Sequence, residues 1–182
     1  MKDYSIGDKT FELYISEAQI QHKIHDLAAQ LDTDYAEKDL LIVGILNGSF
    51  RFVSDTIKQM STPCEVEFVK VKSYEGLKSS GNVSVNFFLP AGDYSKKHIL
   101  LMEDIIDTGH TIQYLIEQIK ALNPASLSVA TLFYKPEAVQ IHLEEKAVAY
   151  ICFKIENLFI VGYGLDYEGQ GRTLNDVYVL KK

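Results

Sequence analysis

Apolar positions along the chain fall into two rhythms. Ile20, Ile24, Leu27 and Leu31 recur at helical spacing and predict an amphipathic helix over residues 16–31. Ser16 followed by Gln19 fits a capping box at its start. Residues 40–46 then form an apolar run broken only by Gly44, the mark of a strand buried on both faces. Asn47-Gly48-Ser49 interrupts the run, and Phe50, Val53, Ile57 and Met60 return to helical spacing. Strand, glycine turn and helix make the first half of a βαβ unit.

Residues 65–74 alternate, with Val66, Phe68, Val69 and Val71 among Glu65, Glu67, Lys70 and Lys72. A hydrophilic stretch at 75–82 follows, and alternation resumes over 83–89, predicting two strands and a connecting loop. Loops of that length often carry function. A second buried strand starts at residues 99–102 and runs into a polar turn. Ile112, Leu115, Ile116, Ile119 and Leu122 then mark a helix that Asn123-Pro124 stops. Further strands are predicted at 126–134, 150–155 and, briefly, 159–163. The βαβαβ rhythm predicts an α/β fold with a mostly parallel central sheet flanked by helices. In such sheets ligands bind at the carboxyl ends of the strands.

Composition narrows the class. At 182 residues, 47% hydrophobic and 24% charged, the chain fits one globular domain, with no repeats or linker. Cys64 and Cys152 lie in strand-like stretches without metal-ligand spacing and read as small buried thiols. Met1-Lys2-Asp3 does not begin a signal peptide, and no apolar run approaches the ~20 residues of a membrane helix. A cytoplasmic protein without a membrane partner is the expectation. The net charge of −7 disfavours nucleic acid as a partner but leaves room for a small anionic substrate.

The informative segment is Glu103-Asp104-Ile105-Ile106-Asp107-Thr108-Gly109-His110-Thr111, a strand end leading into a helix. Glycine and hydroxyls at a helix amino terminus suit an anion, because unpaired N–H groups and the helix dipole face it. Carboxylates suit the opposite guest: a hard cation, sugar hydroxyls or a proton. A site that offers both suits a sugar phosphate accompanied by a metal ion.

This nine-residue segment resembles the phosphoribosyl pyrophosphate motif of the type I phosphoribosyltransferases, in detail their hypoxanthine-guanine branch. Other stretches extend the resemblance from about residue 15 to the end. Leu46-Asn47-Gly48-Ser49 sits where that family has its pyrophosphate loop, and Ser73-Tyr74 begins its mobile lid, about residues 73–83. Lys135 matches its purine-reading lysine, residues 159–167 its purine hood, and Arg172 its pyrophosphate arginine. Taken singly, Lys135 reads as a surface lysine before Pro136 and Phe159 as a core aromatic; beside the motif they acquire roles. The implied layout is one domain over 1–182, with a core at about 16–155 and a small hood at about 156–182.

The resemblance implies transfer of a 5-phosphoribosyl group to N9 of hypoxanthine or guanine, giving IMP or GMP and pyrophosphate. It gives Asp107, Thr108, Gly109, His110 and Thr111 to the 5′-phosphate, and Glu103 and Asp104 to the ribose hydroxyls and Mg²⁺. Asp107 becomes the general base at purine N7, and Asp166 serves a second Mg²⁺. Asn47, Gly48 and Arg172 meet the pyrophosphate. Ile105, Lys135, Phe159, Ile160 and Asp166 line the purine, and Ser73 and Tyr74 close over the reaction centre. Asn47 and His110 stand where lysine is commoner, and the Leu46–Asn47 peptide is expected to be cis.

The resemblance also implies a homodimer or homotetramer. The alternatives are a regulator of the same fold that binds phosphoribosyl pyrophosphate, and a xanthine-preferring enzyme. A dinucleotide-binding module is disfavoured, since no G-x-G-x-x-G follows either buried strand. His22 and His25 are three apart but lack a third metal ligand, and His98 and His142 look incidental.

Overall fold

The computed structural model describes residues 3–70, 89–90, 92–141 and 147–181. Its strands are β1 (Tyr4–Ile6), β2 (Lys9–Ile15), β3 (Leu40–Leu46), β4 (Cys64–Lys70), β5 (His98–Ile106), β6 (Ser126–Tyr134), β7 (Val148–Lys154), β8 (Ile160–Val161) and β9 (Val177–Leu180). Its helices are α1 (Glu17–Asp34), α2 (Phe50–Ile57) and α3 (His110–Lys120). Five strands pair in parallel, in the order β4-β3-β5-β6-β7. The predicted α/β architecture is therefore present.

Successive residues of the central strands face opposite sides, and each side has its own core. Ile42, Leu100, Met102 and Ala130 pack with Ile20, Ile24, Leu27 and Leu31 of α1 and Phe52 and Val53 of α2. Leu41, Val43, Leu101 and Val129 pack instead with Ile112, Leu115 and Ile119 of α3. Helices on both faces explain why β3 and β5 are apolar almost throughout. At the start of α1, the Ser16 side chain accepts from the Gln19 N–H while the Gln19 side chain accepts from the Ser16 N–H, completing the capping box.

Some boundaries differ from the sequence reading. β5 continues past residue 102 to Ile106, so Glu103 and Asp104 lie in the strand and not beyond it. The short strand foreseen at 159–163 is reduced to β8 and belongs to a second sheet. That sheet, β1-β2-β9-β8, is antiparallel throughout and joins the two ends of the described chain. Ile6, Phe11 and Val161 form its small core. Cys64 and Cys152 are half-buried free thiols, more accessible than the sequence suggested. Among the described residues no helix is long and apolar enough to cross a membrane. Ser73, Tyr74, residues 83–88 of the strand expected over 83–89 and His142 lie outside the described residues.

Candidate active site

Parallel pairing brings the carboxyl ends of β3, β5 and β6 to one edge of the sheet, where the motif residues meet. β5 delivers Glu103 and Asp104, and the turn after it delivers Asp107 to Gly109. Gly109 has φ +87°, a left-handed conformation that favours glycine, and it starts α3 without a side-chain cap. The first N–H groups of α3 therefore have no capping side chain of Gly109 to satisfy them. His110 is exposed, while Thr108 and Thr111 are half-buried. The Thr108 carbonyl accepts from the Gln140 N–H at 3.1 Å, tying the turn to the chain that follows β6.

Lys135 directly follows β6, and its N–H donates to the Ile106 carbonyl at 3.0 Å. The residue is only 6% exposed, yet its Nζ reaches Asp107 Oδ2 at 3.1 Å. This answers the possibility of an ordinary surface lysine: a buried ammonium needs a charged or hydrogen-bonding partner, and Asp107 provides it. Asp107 remains half exposed at the mouth of the turn.

Glu103 and Asp104 sit deeper. Glu103 Oε2 is sealed from solvent and has no hydrogen-bond partner among the described residues. Burial, then the neighbouring Asp104 carboxylate, pushes the Glu103 carboxyl well above its usual range. Burial also raises Asp104 to about 6, although hydrogen bonds from Glu103 and the backbone and the charge of Arg172 pull the other way. Two buried carboxyls, one with an unpartnered oxygen, fit a hard cation. The donor set is all oxygen, which suits Mg²⁺.

Two chain segments stack beside Asp104. Leu46–Asn47 is a cis peptide, as expected. It leads to buried Gly48, where an added Cβ would lie 1.5 Å from Asp104 Oδ2. Only glycine leaves room for that carboxylate. Gly164, on the loop between β8 and β9, has φ +101°, and a Cβ there would meet the Gly48 carbonyl oxygen at 2.1 Å. Asn47 itself is exposed, with its side chain free to face a ligand.

The β8–β9 loop carries the remaining candidates. Arg172 donates to the Gly164 carbonyl at 2.7 Å and forms an ion pair with Asp166 at 2.5 Å. Asp166 also accepts from the Gly169 N–H at 2.8 Å. Asp166 is thus held by Arg172 and is not gathered with Glu103 and Asp104; no three acidic, histidine or cysteine side chains among the described residues form one metal cluster. Phe159 is 46% exposed, and the edge of the Tyr167 ring stands 5.7 Å away, centroid to centroid. Ile160 is buried in β8, while Ile105 is half-buried against the main core. His22 pairs with Asp26 at 3.8 Å, and His98 Nδ1 lies 2.7 Å from Ser126 Oγ, so neither meets the motif residues.

The family model of the phosphoribosyl transferase domain matches residues 16–168. The chain belongs to the phosphoribosyltransferase family. It is 40% identical over 172 residues to hypoxanthine-guanine phosphoribosyltransferase of Streptococcus pneumoniae, covering 94% of this chain and 93% of that one. It is 38% identical over 167 residues to hypoxanthine phosphoribosyltransferase of Haemophilus influenzae, covering 90% and 91%. The crystal structure of a hypoxanthine phosphoribosyltransferase from Staphylococcus aureus superposes with a TM-score of 0.86 at 37% identity, covering 93% and 91%.

For a phosphoribosyltransferase, one set of residues went unread in the sequence. Arg51 and Asp55, four apart on α2, reach across to the β8–β9 loop with Tyr163. Their helical spacing puts them on one face, the one available signal.

Proposed function

We propose that the protein is a purine salvage enzyme that transfers the 5-phosphoribosyl group from phosphoribosyl pyrophosphate to N9 of hypoxanthine or guanine, giving IMP or GMP and pyrophosphate. The observation that carries the reading is the Lys135–Asp107 pair beside the phosphate turn. Lysine has three donors and no acceptor, and one proton engaged with Asp107 leaves others for a purine O6. An exocyclic 6-amino group offers donors to a donor, so adenine is rejected. The S. pneumoniae hypoxanthine-guanine phosphoribosyltransferase supports both purines, and the H. influenzae hypoxanthine phosphoribosyltransferase supports hypoxanthine.

In this reading the N–H groups and hydroxyls of residues 107–111 hold the 5′-phosphate. Glu103 and Asp104 orient the ribose hydroxyls, and Asn47, Gly48 and Arg172 receive the pyrophosphate. Asp107 takes the proton at purine N7 as the ribosyl carbon acquires cationic character. Phe159 lends a ring face to the base, with Ile105 and the Ile160 backbone beside it, and Ser73 and Tyr74 keep water out. Glu103 and Asp104, with Asp166 at a separate position, are the residues that would hold Mg²⁺. Bound there, a divalent cation neutralises charge on the departing pyrophosphate. A homodimer or homotetramer is the proposed assembly; Phe50 and Phe68, 40% and 41% exposed, offer it apolar surface.

A purine panel tests the reading. Purified protein, phosphoribosyl pyrophosphate and Mg²⁺ are mixed in turn with hypoxanthine, guanine, xanthine and adenine, and pyrophosphate release is followed. Turnover of hypoxanthine or guanine without adenine is expected. Binding of phosphoribosyl pyrophosphate without turnover of any purine would replace the enzyme by a sensor.

A further inference from the structure

Asp166 and Arg172 sit on a loop, and loops need something to fix their distance from the chemistry. Within the loop, Gly164 N–H donates to the Arg172 carbonyl at 3.0 Å, and Tyr163 N–H donates to the Leu174 carbonyl at 2.9 Å. These bonds shape the loop but do not tie it to the rest of the protein. Arg51 does. Its Nη1 donates to the Leu174 carbonyl at 2.6 Å and the Thr173 carbonyl at 3.3 Å, and its Nη2 donates to Asn175 Oδ1 at 2.8 Å. Its guanidinium carbon also lies 4.6 Å from the centre of the Tyr163 ring.

Tyr163 is fully buried, and its hydroxyl donates to Asp55 Oδ2 at 2.5 Å. Asp55 also receives Gln21 Nε2 of α1 at 3.1 Å and pairs with Lys58 at 2.5 Å. The loop is therefore gripped from two sides by one helix, α2, four residues apart. That helix begins directly after the Asn47-Gly48-Ser49 turn. The same turn touches the gripped loop again, where Gly164 abuts the Gly48 carbonyl.

We infer that Arg51, supported by Asp55 through Tyr163, is a positioning residue that sets how far Arg172 and Asp166 stand from the pyrophosphate turn. The inference rests on the phosphoribosyltransferase reading of the site. Arg51 is committed to backbone carbonyls and a ring, so it acts through the loop and not on the ligand. A planar fork with several donors suits this task, and lysine cannot reproduce both carbonyl contacts and the ring contact. Misplacing a binding group by about 1 Å can cost up to ~10²-fold, so an effect of about tenfold is expected.

The test is Arg51→Ala, with Arg51→Lys and Tyr163→Phe as milder variants that keep the fold if alanine does not. For each, the affinity for phosphoribosyl pyrophosphate and for inorganic pyrophosphate with Mg²⁺ is measured by calorimetry, and both Michaelis constants by initial rates. Arg51→Ala is expected to weaken pyrophosphate and phosphoribosyl pyrophosphate about tenfold with little change for hypoxanthine. Arg51→Lys and Tyr163→Phe are expected to shift the same constants by less. Parallel loss for both substrates, or a lowered melting temperature with unchanged constants, would reduce Arg51 to a structural residue and overturn the inference. Calorimetry keeps the result separate from the purine assignment: a wild type that turns over no purine refutes that assignment, while its pyrophosphate affinity still reports on Arg51.

Discussion

At the scale of single residues, the chemistry is concentrated in carboxyls with different surroundings. Asp107 is half exposed and held by Lys135, and in the proposed reaction it is the base. Asp107→Asn keeps the hydrogen-bonding shape and removes the basicity. It should leave phosphoribosyl pyrophosphate affinity within about tenfold while the rate falls ~10²-fold or more in single-turnover assays. An unaffected rate would remove Asp107 as the base. Glu103 and Asp104 behave otherwise, since burial raises both. Each carboxyl holds its proton more tightly folded than unfolded, so this stabilisation is full below about pH 4 and is lost as the pH rises, through about 6 for Asp104. Above that the two buried charges carry a cost. Glu103→Gln relieves it, because the amide can donate to Asp104, and it should raise the melting temperature at pH 8 by about 4 °C while weakening phosphoribosyl pyrophosphate. A lower melting temperature would show that the pair is not strained at that pH. Identity of these acids was legible in the sequence because three carboxylates, a glycine and two threonines share one nine-residue segment. The Lys135–Asp107 contact was not, since the two are 28 positions apart and meet only through strand pairing.

Elements were legible in proportion to how local their causes are. The Ser16 cap of α1, the run in β3 and the whole of β6 follow from near neighbours, and they stand where the pattern put them. β1, β2 and β9 were passed over, although Phe11, Leu13 and Ile15 alternate and Gly7-Asp8 is a hairpin turn between Ile6 and Lys9. Their pairing partners lie at the far end of the chain, where Phe11 meets Leu180 and Ile15 meets Val177. A short alternating stretch with no local partner carries little weight until its distant strand is known. The turn between β3 and α2 shows the reverse case: its glycine looked like a breaker, and its real reason is the Asp104 carboxylate beside it. Gly48→Ala must move one or the other. The Michaelis constant for phosphoribosyl pyrophosphate should rise by about tenfold or more, with that for hypoxanthine nearly unchanged. Equal Michaelis constants in mutant and wild type would mean that the turn yields without disturbing the site.

Across the whole molecule, two supports converge on one loop. α2 grips the β8–β9 loop through Arg51 and Tyr163, on the side of the Asn47-Gly48-Ser49 turn that is proposed to receive pyrophosphate. The second sheet carries the other end, where the Phe159 carbonyl accepts from the Leu180 N–H at 2.9 Å and β8 pairs with β9. Phe11 of β2 is the centre of this second support: it is fully buried, with Phe159 and Tyr167 each 6.3 Å away, centroid to centroid. The small core around it is separate from the two main cores, so its loss can loosen one region without unfolding the rest. Removing a buried phenylalanine ring costs about 3–5 kcal/mol. Phe11→Ala should therefore raise the Michaelis constant for hypoxanthine, because Phe159 loses its backing, while Arg51 still holds the pyrophosphate side and phosphoribosyl pyrophosphate binds nearly as before. The Arg51 variants should show the opposite split. Hydrogen exchange of β2, β8 and β9 amides, measured beside the two Michaelis constants, separates the cases: faster exchange confined to these strands with only the purine constant raised fits two independent supports. Faster exchange through α2 as well, with both constants raised together, would mean that the hood and the pyrophosphate side form a single cooperative unit.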